Sequence, residues 1–145
     1  VNTGCRPAEV AGLLPEDIIL ADNIPHIKIR ANANRQIKNS ASERDLPLVG
    51  ISLTAMRRHP DGFPRYAGKD KFSGVMNRYL RGNGLMETQD HTIYGLRHSF
   101  EDRLLKLKEP DRLCADLMGH ATARERYGLG ATLDHKLEVL IRLAL

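Results

Sequence analysis

A chain of 145 residues with 41% hydrophobic residues is sized for one domain with a modest core. No stretch approaches the roughly 20 apolar residues that a membrane-spanning helix needs. The net charge of +4 and pI of about 9.3 leave room for an acidic partner without demanding one.

In chain order, residues 3–13 predict a short helix, with Thr3 as cap and Pro7 in the first turn. The opening "VNTGCRPAEV" has no initiator Met and reads as the interior of a longer chain. "DIIL", "HIKIR" and "RDLPL" predict three short strands, joined by "ADN" and by the polar run "ANANRQIKNSASE". A sheet this small must pack on helices. "SLTAMRRH" predicts a helix, "PDGFPRYAG" a loop, and "KFSGVMNRYLRG" a helix ending at Gly82. The segment 92–108 is the strongest helical pattern, with Thr92 as cap and Ile93, Leu96, Phe100, Leu104 and Leu107 on one stripe. "PDRLCADLMG" predicts a helix opened by Pro110. "GLGAT" is a loop, and the last 13 residues predict an amphipathic helix with Leu133, Leu137, Leu140, Ile141 and Ala144 on its apolar side. Cys5 and Cys114 fit no ligand spacing; two thiols suit small core residues in a reducing cytoplasm.

Four separated blocks belong together: "TGCRPAEV" with Arg6 and Glu9, "IKNSASERDLPL" with Lys38, "YGLRHSF" with Arg97 and His98, and "LMGHATARERYG" with His120 and Tyr127. Taken singly, each residue is an ordinary surface arginine, turn lysine, helix-end histidine or packing tyrosine. Together, and in this order, the blocks resemble the catalytic domain of tyrosine recombinases, the phage integrases. That pattern runs TG-x-R-x-x-E, a hairpin lysine before S-x-R-x-x-P-L, H-x-x-R-H, L-G-H, and a tyrosine.

The resemblance covers nearly the whole chain. It implies an α+β fold, mainly helical with a small three-stranded antiparallel sheet. Residues 1–145 would be the catalytic domain of an N-terminally truncated recombinase lacking its DNA-clamping domain. It also implies DNA cleavage and rejoining through a 3′-phosphotyrosyl link at Tyr127. Arg6 and Arg97 would grip the phosphate, His120 would hydrogen-bond it, and Lys38 would protonate the leaving 5′-oxygen. Glu9, Tyr94 and His98 would support them. No cofactor, metal or ATP is expected: a covalent nucleophile conserves the phosphodiester energy, and paired guanidinium forks can meet phosphate charge where other enzymes use a metal. The implied partners are double-stranded DNA and further copies of the protein, as a tetramer on DNA, and the implied host is a phage or mobile element.

The chain departs from the pattern at three places. Tyr94 stands where the motif has its first histidine, Met118 stands in the Leu place of L-G-H, and Tyr127 follows His120 by seven residues rather than about nine. A tyrosine donates a hydrogen bond but is no base near neutral pH. Two alternatives follow: a degenerate member that binds DNA without cutting it, and a nicking-closing enzyme of the type IB topoisomerase kind. The last helix has two readings as well, packing on its own domain or docking on a neighbouring subunit.

Overall fold

The computed structural model describes residues 1–67, 72–122 and 130–145. Six helices surround one antiparallel sheet among these residues: α1 (Pro7–Ala11), β1 (Ile18–Ile19), β2 (His26–Ile29), β3 (Arg44–Pro47), α2 (Gly50–Arg58), α3 (Phe72–Gly82), α4 (Gly95–Lys106), α5 (Asp111–Met118) and α6 (Leu133–Leu143). The sheet order is β1-β2-β3. Its register pairs Ile27 with Leu46 and Ile29 with Arg44. Successive strand residues face opposite sides, so Arg44 shares the inner face with Leu46. The expected α+β architecture is therefore present.

Local chemistry sets the element ends. α1 starts later than Thr3: Arg6 is the N-cap residue in an extended conformation, and Pro7 opens the helix. The Glu9 carboxylate reaches back to accept from the Arg6 amide at 2.8 Å, while Thr3 instead accepts from the Cys5 amide. Proline at the first helical position fixes where the helix can begin, which overrides the threonine. The β2–β3 connection is held by Arg35, whose buried guanidinium donates to the Arg30 carbonyl, to the Glu9 carbonyl at 2.7 Å and to Asp17. α5 ends at Gly119 in the left-handed region.

The core is built from Ile27, Ile29 and Leu46 of the sheet, Phe100 and Leu104 of α4, Leu117 and Met118 of α5, and Val139 and Leu140 of α6. Cys5 and Cys114 are free thiols packed against it. Two predicted stripes hold in part: Phe100 and Leu104 on α4 and Leu140 on α6 are buried as the spacing implies. On α4, Leu96 is 45% exposed and Arg97 is buried beside Phe100 and Leu104. On α6, Ile141 and Ala144 face out, while Lys136, Val139, Leu140 and Leu143 face in. Lys136 tolerates burial because its ammonium donates to the Asp45 carbonyl at 2.9 Å.

α6 packs on β3 of its own domain. Its end is clasped. Asn2 donates to the Leu145 carbonyl at 3.1 Å, and the Ile51 amide donates to the same oxygen at 3.0 Å. Arg103 donates to the carbonyls of Leu143 at 2.7 Å and Val1 at 2.8 Å. Charge-assisted bonds of this kind contribute roughly 1.5–3 kcal/mol. An Arg103→Ala variant should therefore lower amide protection along α6 selectively in hydrogen exchange; unchanged protection there would contradict the clasp. Among the described residues no helix is long and apolar enough to cross a membrane.

Candidate active site

The first block meets α4 through a glycine. Gly4 has φ +59°, and a Cβ there would lie 2.6 Å from a ring carbon of Phe100. Lacking one, its backbone closes on α4 and its carbonyl accepts from Arg97 Nη1. Arg97 is 4% exposed. Its Nη2 donates to the Met118 carbonyl at 2.7 Å and to His120 Nε2 at 2.8 Å. Those three bonds to described residues leave two of the five guanidinium N–H groups.

Arg6 approaches from the other side. Its Nη1 donates to Glu9 Oε1 at 2.6 Å and to Ser42 Oγ at 3.5 Å, and its Nη2 to the Gly119 carbonyl at 3.5 Å. Glu9 is shared. Arg44 donates to its Oε2 at 2.8 Å and its Oε1 at 3.3 Å. Burial raises the Glu9 carboxyl, but the Arg44 hydrogen bond and charge, with Arg6, hold it below its ordinary range. The folded state thus prefers the ionised form. That stability is complete above the unfolded carboxylate value, about 4.3, and is lost as pH falls through the lowered folded value. Acid unfolding monitored by circular dichroism should show this: Glu9→Gln, which no longer titrates, should flatten the acidic limb below about pH 4.3, and an unchanged limb would contradict it.

His120 follows the left-handed Gly119. Burial, with the Arg97 charge, lowers its imidazole below the usual value against an opposing pull from Glu101. The ring is therefore neutral at pH 7. A guanidinium can only donate, so Nε2 is the acceptor and the ring proton sits on Nδ1, 3.8 Å from Glu101 Oε1. Burial and the Arg6 charge likewise pull Arg97 below its usual value, although an arginine stays charged through such a shift. Three guanidiniums around one buried carboxylate leave net positive charge, which suits an anion.

Arg6, Glu9, Arg97 and His120 are therefore brought together, as the motifs imply. Lys38 is exposed on the β2–β3 connection, outside the hydrogen-bonded group. Tyr94, rather than Thr92, occupies the N-cap position of α4, without a side-chain cap hydrogen bond; its ring lies 5.2 Å from that of His98, both at the surface. Tyr127 lies outside the described residues. Arg44 fills the arginine place of S-x-R-x-x-P-L but has no role assigned from sequence, although strand alternation with Leu46 points it inward. Among the described residues no group of three His, Cys, Asp or Glu side chains could hold a metal ion.

The fold is that of integrase catalytic domains. An integrase from mycobacterium phage Brujita superposes with a TM-score of 0.61 at 19% identity, over 98% of this chain and 48% of that one. The Tn1549 transposon integrase, solved in complex with circular intermediate DNA, gives 0.60 at 21% identity, over 98% and 56%. No family model matches the chain. In sequence it is 28% identical over 123 residues to a tyrosine recombinase XerC of Azotobacter vinelandii and 30% identical over 138 residues to one of Herpetosiphon aurantiacus, each match covering 83% of this chain. The chain spans about two fifths of the length of these relatives. The chain is thus similar in sequence to tyrosine recombinases and in fold to phage and transposon integrases.

Proposed function

We propose that residues 1–145 form the catalytic domain of a site-specific DNA recombinase that cuts and rejoins double-stranded DNA through a 3′-phosphotyrosyl intermediate. The observation that carries this is the convergence of Arg6, Arg97 and His120, from three separate blocks, on one cationic cluster. In this reading the Tyr127 hydroxyl attacks the scissile phosphorus and gives up its proton to solvent water. The bond to the 5′-oxygen breaks, and Lys38 protonates that oxygen. Arg6 and Arg97 use their remaining N–H groups on the nonbridging oxygens, where charge grows in the transition state. The 5′-hydroxyl of another strand can then reverse the step, so joining needs no ATP or metal.

DNA as partner is supported by the net charge of +4 and by the Tn1549 integrase having been solved on DNA. Assembly as a tetramer on two sites and a cytoplasmic location complete the reading, and a phage or mobile element is its natural host.

The test is a nicked suicide substrate in which the 5′ fragment diffuses away, incubated with the protein in EDTA and resolved on a denaturing gel. Wild type should form a covalent protein–DNA adduct, and Tyr127→Phe should form none. The second reading, a member that binds without cutting, is favoured by Tyr94 standing in the histidine place with its ring turned to His98. DNA binding without adduct from the wild type would support it instead.

A further inference from the structure

Given the roles proposed for Arg6 and Arg97, we infer that Arg44 is a positioning residue that sets both halves of the phosphate cradle, an assignment that rests on that recombinase reading. All five N–H groups of the Arg44 guanidinium meet protein acceptors, so it has none left to offer DNA. Its guanidinium grips Glu9 through both terminal nitrogens, at 2.8 and 3.3 Å. The same nitrogens bond the Ser42 carbonyl at 2.7 Å and meet the Cys5 sulfur at 3.9 Å, while Nε donates to the Leu117 carbonyl at 3.1 Å.

One planar group therefore faces two ways. Toward α1 it orients the carboxylate whose Oε1 holds Arg6 at 2.6 Å and whose Oε2 holds the Arg6 amide. Toward α5 it fixes the last turn, whose next residue offers the carbonyl that holds Arg97 and is followed, after Gly119, by His120. Packing is just as tight: a Cβ on Gly119 would fall 2.5 Å from Arg44 Nη1. Lysine cannot replace this fork, because one ammonium cannot span a carboxylate and a carbonyl on opposite sides.

Removal of Arg44 would also leave a distinctive pH response. The charged and titratable groups facing Glu9 are Arg6 and Cys5 from the loop before α1, Arg44 from β3 and Arg97 from α4. Burial already pushes the Glu9 carboxyl up, and Arg44 is the main opposing influence. Without it Glu9 takes up a proton at higher pH and loses its grip on Arg6.

The test measures single-turnover cleavage of saturating nicked-site DNA, DNA affinity and thermal stability for wild type, Arg44→Met, Arg44→Lys and the double variant Glu9→Gln with Arg44→Met. The double variant removes both buried charges and so keeps a foldable protein if the single variant fails to fold. The expected result is cleavage about 100-fold slower in the double variant and in folded Arg44→Met, the size of effect that a small misplacement of reacting groups produces. DNA affinity should be nearly unchanged, and Arg44→Lys should not rescue. Arg44→Met alone should gain an acidic limb in its pH profile, absent from wild type and from the double variant. Arg6→Ala should cost little further once Arg44 is gone. A folded double variant that cleaves at the wild-type rate, or an undiminished Arg6→Ala penalty in its background, overturns the inference. Absence of adduct from wild type itself overturns the underlying recombinase reading and the inference with it.

Discussion

Replacing Arg97 by alanine is expected to slow DNA cleavage by about 100- to 1,000-fold, the usual consequence of removing one preorganised donor from a developing oxyanion. Arg97 does more than offer charge. It ties the Gly4 carbonyl, the Met118 carbonyl and the His120 ring into one arrangement. Its loss therefore leaves two backbone carbonyls without their donor, at roughly 1–3 kcal/mol each where water cannot replace it. Arg97→Lys should restore charge but not activity, since a single ammonium cannot serve three acceptors and a phosphate together. Single-turnover adduct formation and thermal melting on the same variants separate the two effects. An Arg97→Lys variant that cleaves within a few-fold of wild type would contradict the fork geometry.

The second large effect should come from Gly119→Ala. This position has φ +65°, a region L-residues other than glycine enter only with strain. Its new methyl would meet the Arg44 guanidinium at 2.5 Å, and Arg44 is held by Glu9, Ser42 and Leu117 and cannot swing away. Strain of about 1–3 kcal/mol and overpacking of similar size should combine to lower Tm by on the order of 10 °C. Cleavage should fall as well, because His120 is the next residue. Calorimetry and the adduct assay check both; a Gly119→Ala protein as stable and as active as wild type would mean that the turn is not so constrained.

The outline of the fold was legible in the sequence because its signals are local. The isoleucines of "DIIL" and "HIKIR" mark strands, Pro110 and Gly119 bracket α5, and the motif order points to one cluster. The misplaced features depend on distant partners. Leu96 looked like a core residue by helical spacing, yet Arg97 takes the inward position because carbonyls of Gly4 and Met118, far away in sequence, await it. Lys136 breaks the apolar stripe of α6 for the same reason: its acceptor, the Asp45 carbonyl, lies on β3. Arg44 stood in the S-x-R-x-x-P-L block without a role, and only the three-dimensional position of Glu9 reveals why an arginine belongs there. Spacing statistics carry no information about such pairings, which the chain makes only when folded.

The most direct test of a cationic cradle for one phosphate compares two substrates. One carries the natural scissile phosphate; the other carries a methylphosphonate there, with one nonbridging oxygen replaced by an uncharged methyl group. The cradle predicts that the Arg6→Ala and Arg97→Ala penalties in cleavage rate shrink sharply on the methylphosphonate, because the charge they answer is gone. Equal penalties on both substrates would mean that these arginines do not face the scissile phosphate.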